Sequence, residues 1–321
     1  EKKTKMSVQK TLNEWGAKKT PFVFLLDFEK KNSKAWRLEN CPSEFKFNFQ
    51  GITNQENDLS SSKDLKFKIT PPNQIDYINK YHKVINAIQK GETYLINLTT
   101  KGQIETNLSL EDLFNNAKSK YKILLKDHFV SFSPETFIQI KDGIIKTFPM
   151  KGTIDAIIKN AQQILEDNEK EKAEHATIVD LLRNDLSTFA KKVRVEKYRY
   201  YEVIKANNKQ VGQMSSEISG ELPMDYRSRI GDIIYHLTPA GSISGAPKPK
   251  TLELIKEIEQ EDRGFYTGIA GYFDGNNLDS CVLIRYLEKD GTYRCGGGVT
   301  SKSKLKEEYE ELIQKMYVPI Y

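Results

Sequence analysis

The chain has 321 residues, 38% apolar and 29% charged, a composition that builds a sizeable core and excludes a disordered chain. Its 49 Lys and Arg against 44 Asp and Glu leave +5, a small excess spread along the length, so the charge gives no nucleic-acid footprint. No apolar run reaches the roughly 18 residues that would cross a membrane.

The opening Glu-Lys-Lys-Thr-Lys-Met has no apolar segment behind it that would make a signal peptide, and without an initiator Met it reads as a trimmed start. Residues 21–28 form an apolar strand, 53–62 a polar surface loop, and 65–69 a short edge strand. After Pro71-Pro72, residues 74–89 read as a helix with Ile75, Ile78, Tyr81, Ile85 and Ile88 on one face, ended by Gly91. A strand at 93–98 and a short helix at 110–119 follow. Residues 130–153 then read as a hairpin in which Phe132, Ile138 and Ile140 share a face. The chain turns at 141–143 and returns to present Lys151 in front of Gly152. Helix is expected over 161–186 with a break near 167–170, and strand over 192–202. A Gly, Ser and Pro segment spans 238–248 before a helix carrying Leu252, Ile255 and Ile258. Strands at 266–273, 281–287 and 293–295 precede Gly296-Gly297-Gly298 and a last helix over 304–316. Strands and helices cluster without strict alternation, which favours α+β with antiparallel sheets. Cys41, Cys281 and Cys295 show no metal-ligand spacing and suit a reducing cytoplasmic setting.

Four constellations could carry chemistry. Glu174 lies one turn before Ile178 on the stripe of its helix; it is either a core-facing carboxylate that needs a cation or an end-of-helix acid that escapes to solvent. In the last helix Glu308 sits at the margin of the apolar stripe and Glu311 further out. With Glu174, and Glu171 one turn earlier, these acids could offer oxygen ligands to magnesium, or simply form solvated faces. The two glycine-rich stretches, Gly241 to Lys248 and Gly296 to Gly298, fit neither a P-loop nor a dinucleotide fingerprint, yet their amides could cradle a carboxylate. Lys248 would add a charge, and Arg285, inside an apolar strand, a bidentate clamp, so a small dianion or a tricarboxylate-like acid is the expected ligand. Glu135 and Lys151, on opposite arms of one hairpin, are an acid–base partner and a nucleophile, or a cross-strand ion pair. His82, His128, His175 and His236 lack zinc spacing and read as structural.

Several ungapped motifs stand over 74–316: Glu174-His175 through Asp185-Leu186; Pro239 to Lys248, which includes Ser244-Gly245-Ala246-Pro247; Arg263-Gly264 through Tyr266 to Tyr272; and Gly296 to Glu311. In this order they resemble the chorismate-utilising enzymes, the family of anthranilate synthase component I, aminodeoxychorismate synthase component I, and the isochorismate and salicylate synthases. The resemblance implies two packed antiparallel β-sheets with flanking helices, in one catalytic domain over 1–321 whose N-terminal portion, 1–70, is shortened. It also implies Mg²⁺ held by Glu174 and Glu311 and assisted by Glu171 and Glu308. Arg285, Tyr266, Lys248, Ser244, Gly245, Thr153 and the amides around Gly298 would surround the substrate carboxylates. Phe148 to Thr153 resembles the Pro-Ile-Lys-Gly-Thr segment of aminodeoxychorismate synthases, where anthranilate synthases usually carry Ala for the lysine. Leu95 stands where the water-using members carry a lysine base, and it cannot activate water.

The implied chemistry has Lys151 attack C2 of chorismate while Glu135 assists the departing C4 hydroxyl. Ammonia from a separate glutamine amidotransferase subunit then adds at C4, giving 4-amino-4-deoxychorismate for 4-aminobenzoate and folate synthesis. The alternatives are an anthranilate synthase component I and a non-catalytic protein that binds a chorismate-like dianion. The chain departs from the family at Gln213, commonly a histidine and here an altered substrate contact, and at Lys302 and Lys304, which make the closing loop more basic.

Overall fold

The computed structural model describes residues 7–55, 66–206 and 209–320, which form two nine-stranded antiparallel sheets with helices packed outside them. In chain order the elements are α1 (Val8–Ala17), β1 (Phe22–Leu26), β2 (Lys34–Arg37), β3 (Phe45–Phe49), β4 (Ile52–Thr53), β5 (Phe67–Thr70), α2 (Gln74–Gln89), β6 (Leu95–Thr106), α3 (Leu110–Asn116), β7 (Tyr121–Leu125), β8 (Phe129–Ser133), β9 (Thr136–Lys141), β10 (Ile144–Thr147) and β11 (Met150–Asp155). They continue as α4 (Ala161–Asp167), α5 (Glu169–Ser187), β12 (Lys191–Ala206), β13 (Lys209–Glu221), α6 (Ile230–Leu237), β14 (Gly245–Ala246), α7 (Lys248–Glu259), β15 (Ile269–Phe273), β16 (Leu278–Val282), β17 (Tyr286–Glu288), β18 (Thr292–Thr300) and α8 (Leu305–Gln314).

Side-chain alternation sorts the strands into layers. Along β1, Phe22, Phe24 and Leu26 join a core shared with Leu12 of α1, Val179 of α5 and Ile230, Ile233 and Ile234 of α6. The intervening Val23 and Leu25 face the other way, into a core that the sheets share through Phe45, Phe47, Tyr121, Ile123, Ala270 and Cys281. A third core lies between the second sheet and α2, α7 and α8, through Tyr77, Tyr81, Leu254, Ile258 and Leu312. Both faces of β1 are thereby covered, which is why Phe-Val-Phe-Leu-Leu is a continuous apolar run.

The first sheet has the order β11-β13-β10-β9-β16-β15-β1-β2, with β12 also on β13; the second has β14-β6-β18-β17-β8-β7-β3-β4, with β5 on β6. Two successive strand pairs change sheet. β8 belongs to the second and β9 to the first, so the chain crosses at Pro134-Glu135; β16 belongs to the first and β17 to the second, so it crosses back at Leu283 to Arg285. The crossings are adjacent, since Val282 N donates to Glu135 O at 3.2 Å and Phe132 N to Arg285 O at 3.1 Å.

Several expectations are corrected here. Phe132 does not share a face with Ile138 and Ile140; it packs in the α2–α8 core while they pack in the α1–α6 core, because the sheet crossing separates them. Lys151 is not on the return arm of that hairpin. β10 ends at Thr147, and Lys151 belongs to β11, which runs on along the same side of β13. Residues 281–287 are not one strand, and Arg285 sits between two, with φ +52°. Gly296 to Gly298 do not form a loop ahead of α8 but lie within β18, opposite Thr99, Leu98 and Asn97 of β6. Helix α2 has the expected bounds, with Asn73 capping Asp76 N, yet its buried face is Tyr77, Tyr81, Val84 and Ala87, and Ile75 is exposed. β2, β3, β4, α1, α6 and the long β13 went unforeseen. Most of the polar loop expected at 53–62, and Leu65 of the edge strand, lie outside the described residues; Thr53 belongs to β4.

Candidate active site

The two sheet crossings, the bulged strand β11, the glycine run of β18 and the facing ends of α5 and α8 enclose a cavity of about 450 Å³. Each contributes for a local reason. In β11 the pairing with β13 slips between Lys151 and Thr153, where Gly152 takes φ +79°; this bulge re-aims the strand so that Met150, Lys151, Gly152 and Thr153 all reach the cavity wall. In β18 the missing side chains let the cavity floor come close. A Cβ at Gly298 would lie 3.1 Å from Glu174 Oε2, 3.1 Å from Leu95 Cδ1 and 3.3 Å from Lys151 Nζ. Asn168 caps α5 by accepting from Glu171 N and so fixes the turn that carries the acids.

The acids do not stand alone. Glu174 is 4% exposed, with Lys151 Nζ 3.7 Å from Oε2 and Lys170 Nζ 3.7 Å from Oε1. Lys170 also forms an ion pair with Glu308 of α8, which is 2% exposed and not marginal. Glu311 pairs with Lys315 at 2.6 Å, and Lys315 Nζ donates to Gly296 O at 3.2 Å. Burial raises the pKa of Glu174, Glu171 and Glu308 against the lysines' pull, whereas for Glu311 the lysines, Lys315 foremost, overcome burial and lower it. Burial also presses Lys151 toward neutrality. Glu174, Glu171, Glu135 and Glu311 outweigh it, so the pKa of Lys151 lies above that of an ordinary lysine.

Glu135 and Lys151 form no cross-strand pair. Glu135 accepts from Ser242 Oγ instead, and burial raises its carboxyl pKa in spite of that bond and the charges of Lys151, Arg285 and Lys315. Arg285 is enclosed by phenols: its Cζ lies 5.4 Å from the Tyr317 ring centroid, and Tyr266 and Tyr293 line the same end. Gln213 is 3% exposed on the Thr153 side, where its Nε2 donates to Glu202 at 2.7 Å and to Ser215 Oγ at 3.2 Å. His175 turns away from the cavity. Its Nε2 meets Ser216 Oγ at 2.6 Å, and burial lowers its pKa to about 4.

Of the residues expected at a site, Lys151, Glu135, Thr153, Gln213, Glu171, Glu174, Glu311, Tyr266, Arg285 and Gly298 line this cavity, and Glu308 supports it through Lys170. Lys248, Ser244 and Gly245 do not line it. Lys248 Nζ bonds Asp185 at 2.5 Å, Ser244 Oγ donates to Ala240 O at 2.8 Å, and Gly245 pairs with Ile96 of β6. From the same Gly-Ser segment it is Ser242 and Ile243 that face inward. Sequence reasoning passed over Ser242, Lys170, Lys315 and Tyr317. Helical spacing held a signal for two of them, since Lys170 is four residues before Glu174 and Lys315 four after Glu311.

Among the described residues no three acidic, histidine or cysteine side chains converge as a preformed metal cage. The donor set nevertheless suits a hard divalent cation. Glu174 Oε1 is buried without a hydrogen-bond partner, and the surrounding ligating groups are carboxylate oxygens from two helices.

Comparison with known proteins adds to this geometry. Residues 10–320 match the family model described as chorismate binding enzyme. An "Uncharacterized PabA-like protein" of Haemophilus influenzae is 44% identical over 313 residues, covering 96% of this chain and 95% of its own. The aminodeoxychorismate synthase component 1 of Klebsiella aerogenes is 32% identical over 259 residues, 75% of this chain and 56% of its own. The crystal structure of anthranilate synthase component I from Streptococcus pneumoniae TIGR4 superposes with a TM-score of 0.66 at 27% identity, over 82% of this chain and 60% of that one.

Proposed function

The chain belongs to the chorismate binding enzyme family, and on that premise we propose that it aminates chorismate at C4 to give 4-amino-4-deoxychorismate. The observation that carries the reading is Lys151, a nucleophile-capable amine held 3.7 Å from the buried Glu174 at the cavity floor. In this reading Arg285 and Tyr266 take one substrate carboxylate. Glu174 and Glu311, with Glu171 and Glu308 behind them, would hold Mg²⁺, which when bound supplies positive charge to the ring carboxylate. Lys151 Nζ forms a bond to C2 as the C4–O bond breaks, and Glu135, its pKa raised by burial, gives the departing hydroxyl its proton. Ammonia then bonds to C4, the C2–N bond breaks, and the lysine is released. Lys151 attacks only as the free amine, so the charge around it must change once substrate and cation are bound. Ammonia would come from a glutamine amidotransferase subunit, and conversion to 4-aminobenzoate for folate would fall to a separate lyase.

A second reading has its own support. A solved anthranilate synthase component I shares this fold at 27% identity, so amination at C2 with loss of the side chain is the alternative. A product assay on chorismate with Mg²⁺ and ammonium separates the two: 4-aminobenzoate that appears only after a lyase is added supports C4 amination. Fluorescent anthranilate without lyase replaces that reading with the second, and no chorismate consumption leaves a binding protein.

A further inference from the structure

Past α8 the chain remains at the cavity mouth. Tyr293 Oη donates to Lys315 O at 3.0 Å and to Tyr317 O at 2.9 Å, and Lys118 N donates to Pro319 O at 3.0 Å, so the tail is fastened onto the second sheet and the connection that follows α3. Fastened there, Tyr317 places its ring against the Arg285 guanidinium, and both line the cavity. Arg285 needs such a support. Its backbone is held at φ +52° between two sheets, and its buried Nε has no hydrogen-bond partner. A guanidinium is weakly hydrated on its faces and donates through its edge, so an aromatic ring on the face leaves the edge free for a carboxylate.

We propose that Tyr317 is a positioning residue: its ring fixes the plane of the Arg285 guanidinium so that the edge meets a substrate carboxylate. The proposal rests on the reading of the cavity as a chorismate site. It concerns a residue beyond the stretch where the motifs lie, and it makes the tail part of the substrate wall.

The test is calorimetric binding of chorismate with Mg²⁺ and no ammonium, on the full chain, for Tyr317→Phe, Tyr317→Ala, Arg285→Ala and the Tyr317→Ala/Arg285→Ala double variant. Tyr317→Ala is expected to weaken binding about tenfold, and Tyr317→Phe, which keeps the ring and loses only the hydroxyl that hydrogen-bonds the guanidinium, clearly less than Tyr317→Ala. In the Arg285→Ala background, loss of Tyr317 should change nothing further. Unaltered binding by Tyr317→Ala overturns the proposal, as does a Tyr317→Phe as weak as Tyr317→Ala or a double variant in which the two losses multiply. Wild-type binding without turnover removes the amination reading and leaves this test standing; no wild-type binding removes both.

Discussion

Replacing Gly298 by alanine adds one methyl group at the point where strand, acid and amine meet. Gly298 lies in β18 opposite Asn97, in a backbone conformation open to alanine, so the fold itself has little reason to object. Losing a mid-strand glycine stabilises by about 0.5–1 kcal/mol. Against this, the new Cβ would meet Glu174 Oε2 at 3.1 Å, Leu95 Cδ1 at 3.1 Å and Lys151 Nζ at 3.3 Å, each the movable end of a side chain. Those groups must give by a few tenths of an ångström, and stability should change by less than about 1 kcal/mol. Activity should fall far more. The methyl occupies the floor on which a ring would lie, and a displacement of reacting groups approaching 1 Å costs on the order of a hundredfold. Steady-state kcat/KM for chorismate with Mg²⁺ and ammonium, measured beside the thermal midpoint, reads both effects. A Gly298→Ala protein that keeps kcat/KM within about threefold of wild type refutes the placement of the substrate on this floor.

Three further outcomes are expected. Lys151→Ala should remove most ammonium-dependent turnover of chorismate while the protein still binds it; near-normal turnover of the purified variant would reject the nucleophile role. Glu174→Gln should weaken Mg²⁺ binding at least about tenfold by calorimetry, because a buried carboxylate with one oxygen free of hydrogen bonds becomes a neutral amide; unchanged binding would move the cation elsewhere. The pKa of His175 falls on folding from 6.5 to about 4, so its contribution to stability is complete above 6.5 and is lost as pH drops toward 4. Between pH 7 and 4.5 the wild type should lose about 2–3 kcal/mol more than His175→Gln, as read by urea unfolding, and equal losses would show that His175 is not buried neutral.

How much of this was legible in the sequence depended on whether neighbouring residues share one environment. Helices α2 and α5 were legible because their caps, Asn73 and Asn168, follow or create a visible break, and the interruption expected near 167–170 is the junction of α4 and α5. Strand β13 was not, because Gly212, Ser215, Ser216, Ser219 and Gly220 leave no apolar alternation. It is buried by hydrogen bonding between β12 on one side and β10 and β11 on the other. The sheet crossings were hidden for the opposite reason. Val282 to Tyr286 is apolar throughout except for Arg285, so two strands in different sheets look like one, and the change of direction leaves no local mark. Yet that hidden turn is what brings Arg285 to the cavity, just as the other crossing brings Glu135. In the acid cluster, spacing put Glu174 on the stripe of its helix, and put Lys170 and Lys315 one turn from Glu174 and Glu311, but the Lys170–Glu308 pair comes into view only when α5 and α8 are seen face to face.

The chemistry proposed for Lys151 can be tested by mass spectrometry of the intact and digested protein after incubation with chorismate and Mg²⁺ in the absence of ammonium. A covalent adduct of chorismate less one water, confined to the peptide carrying Lys151 and discharged on adding ammonium, is the predicted result. An unmodified Lys151 in a protein that still turns chorismate over once ammonium is supplied would contradict the account.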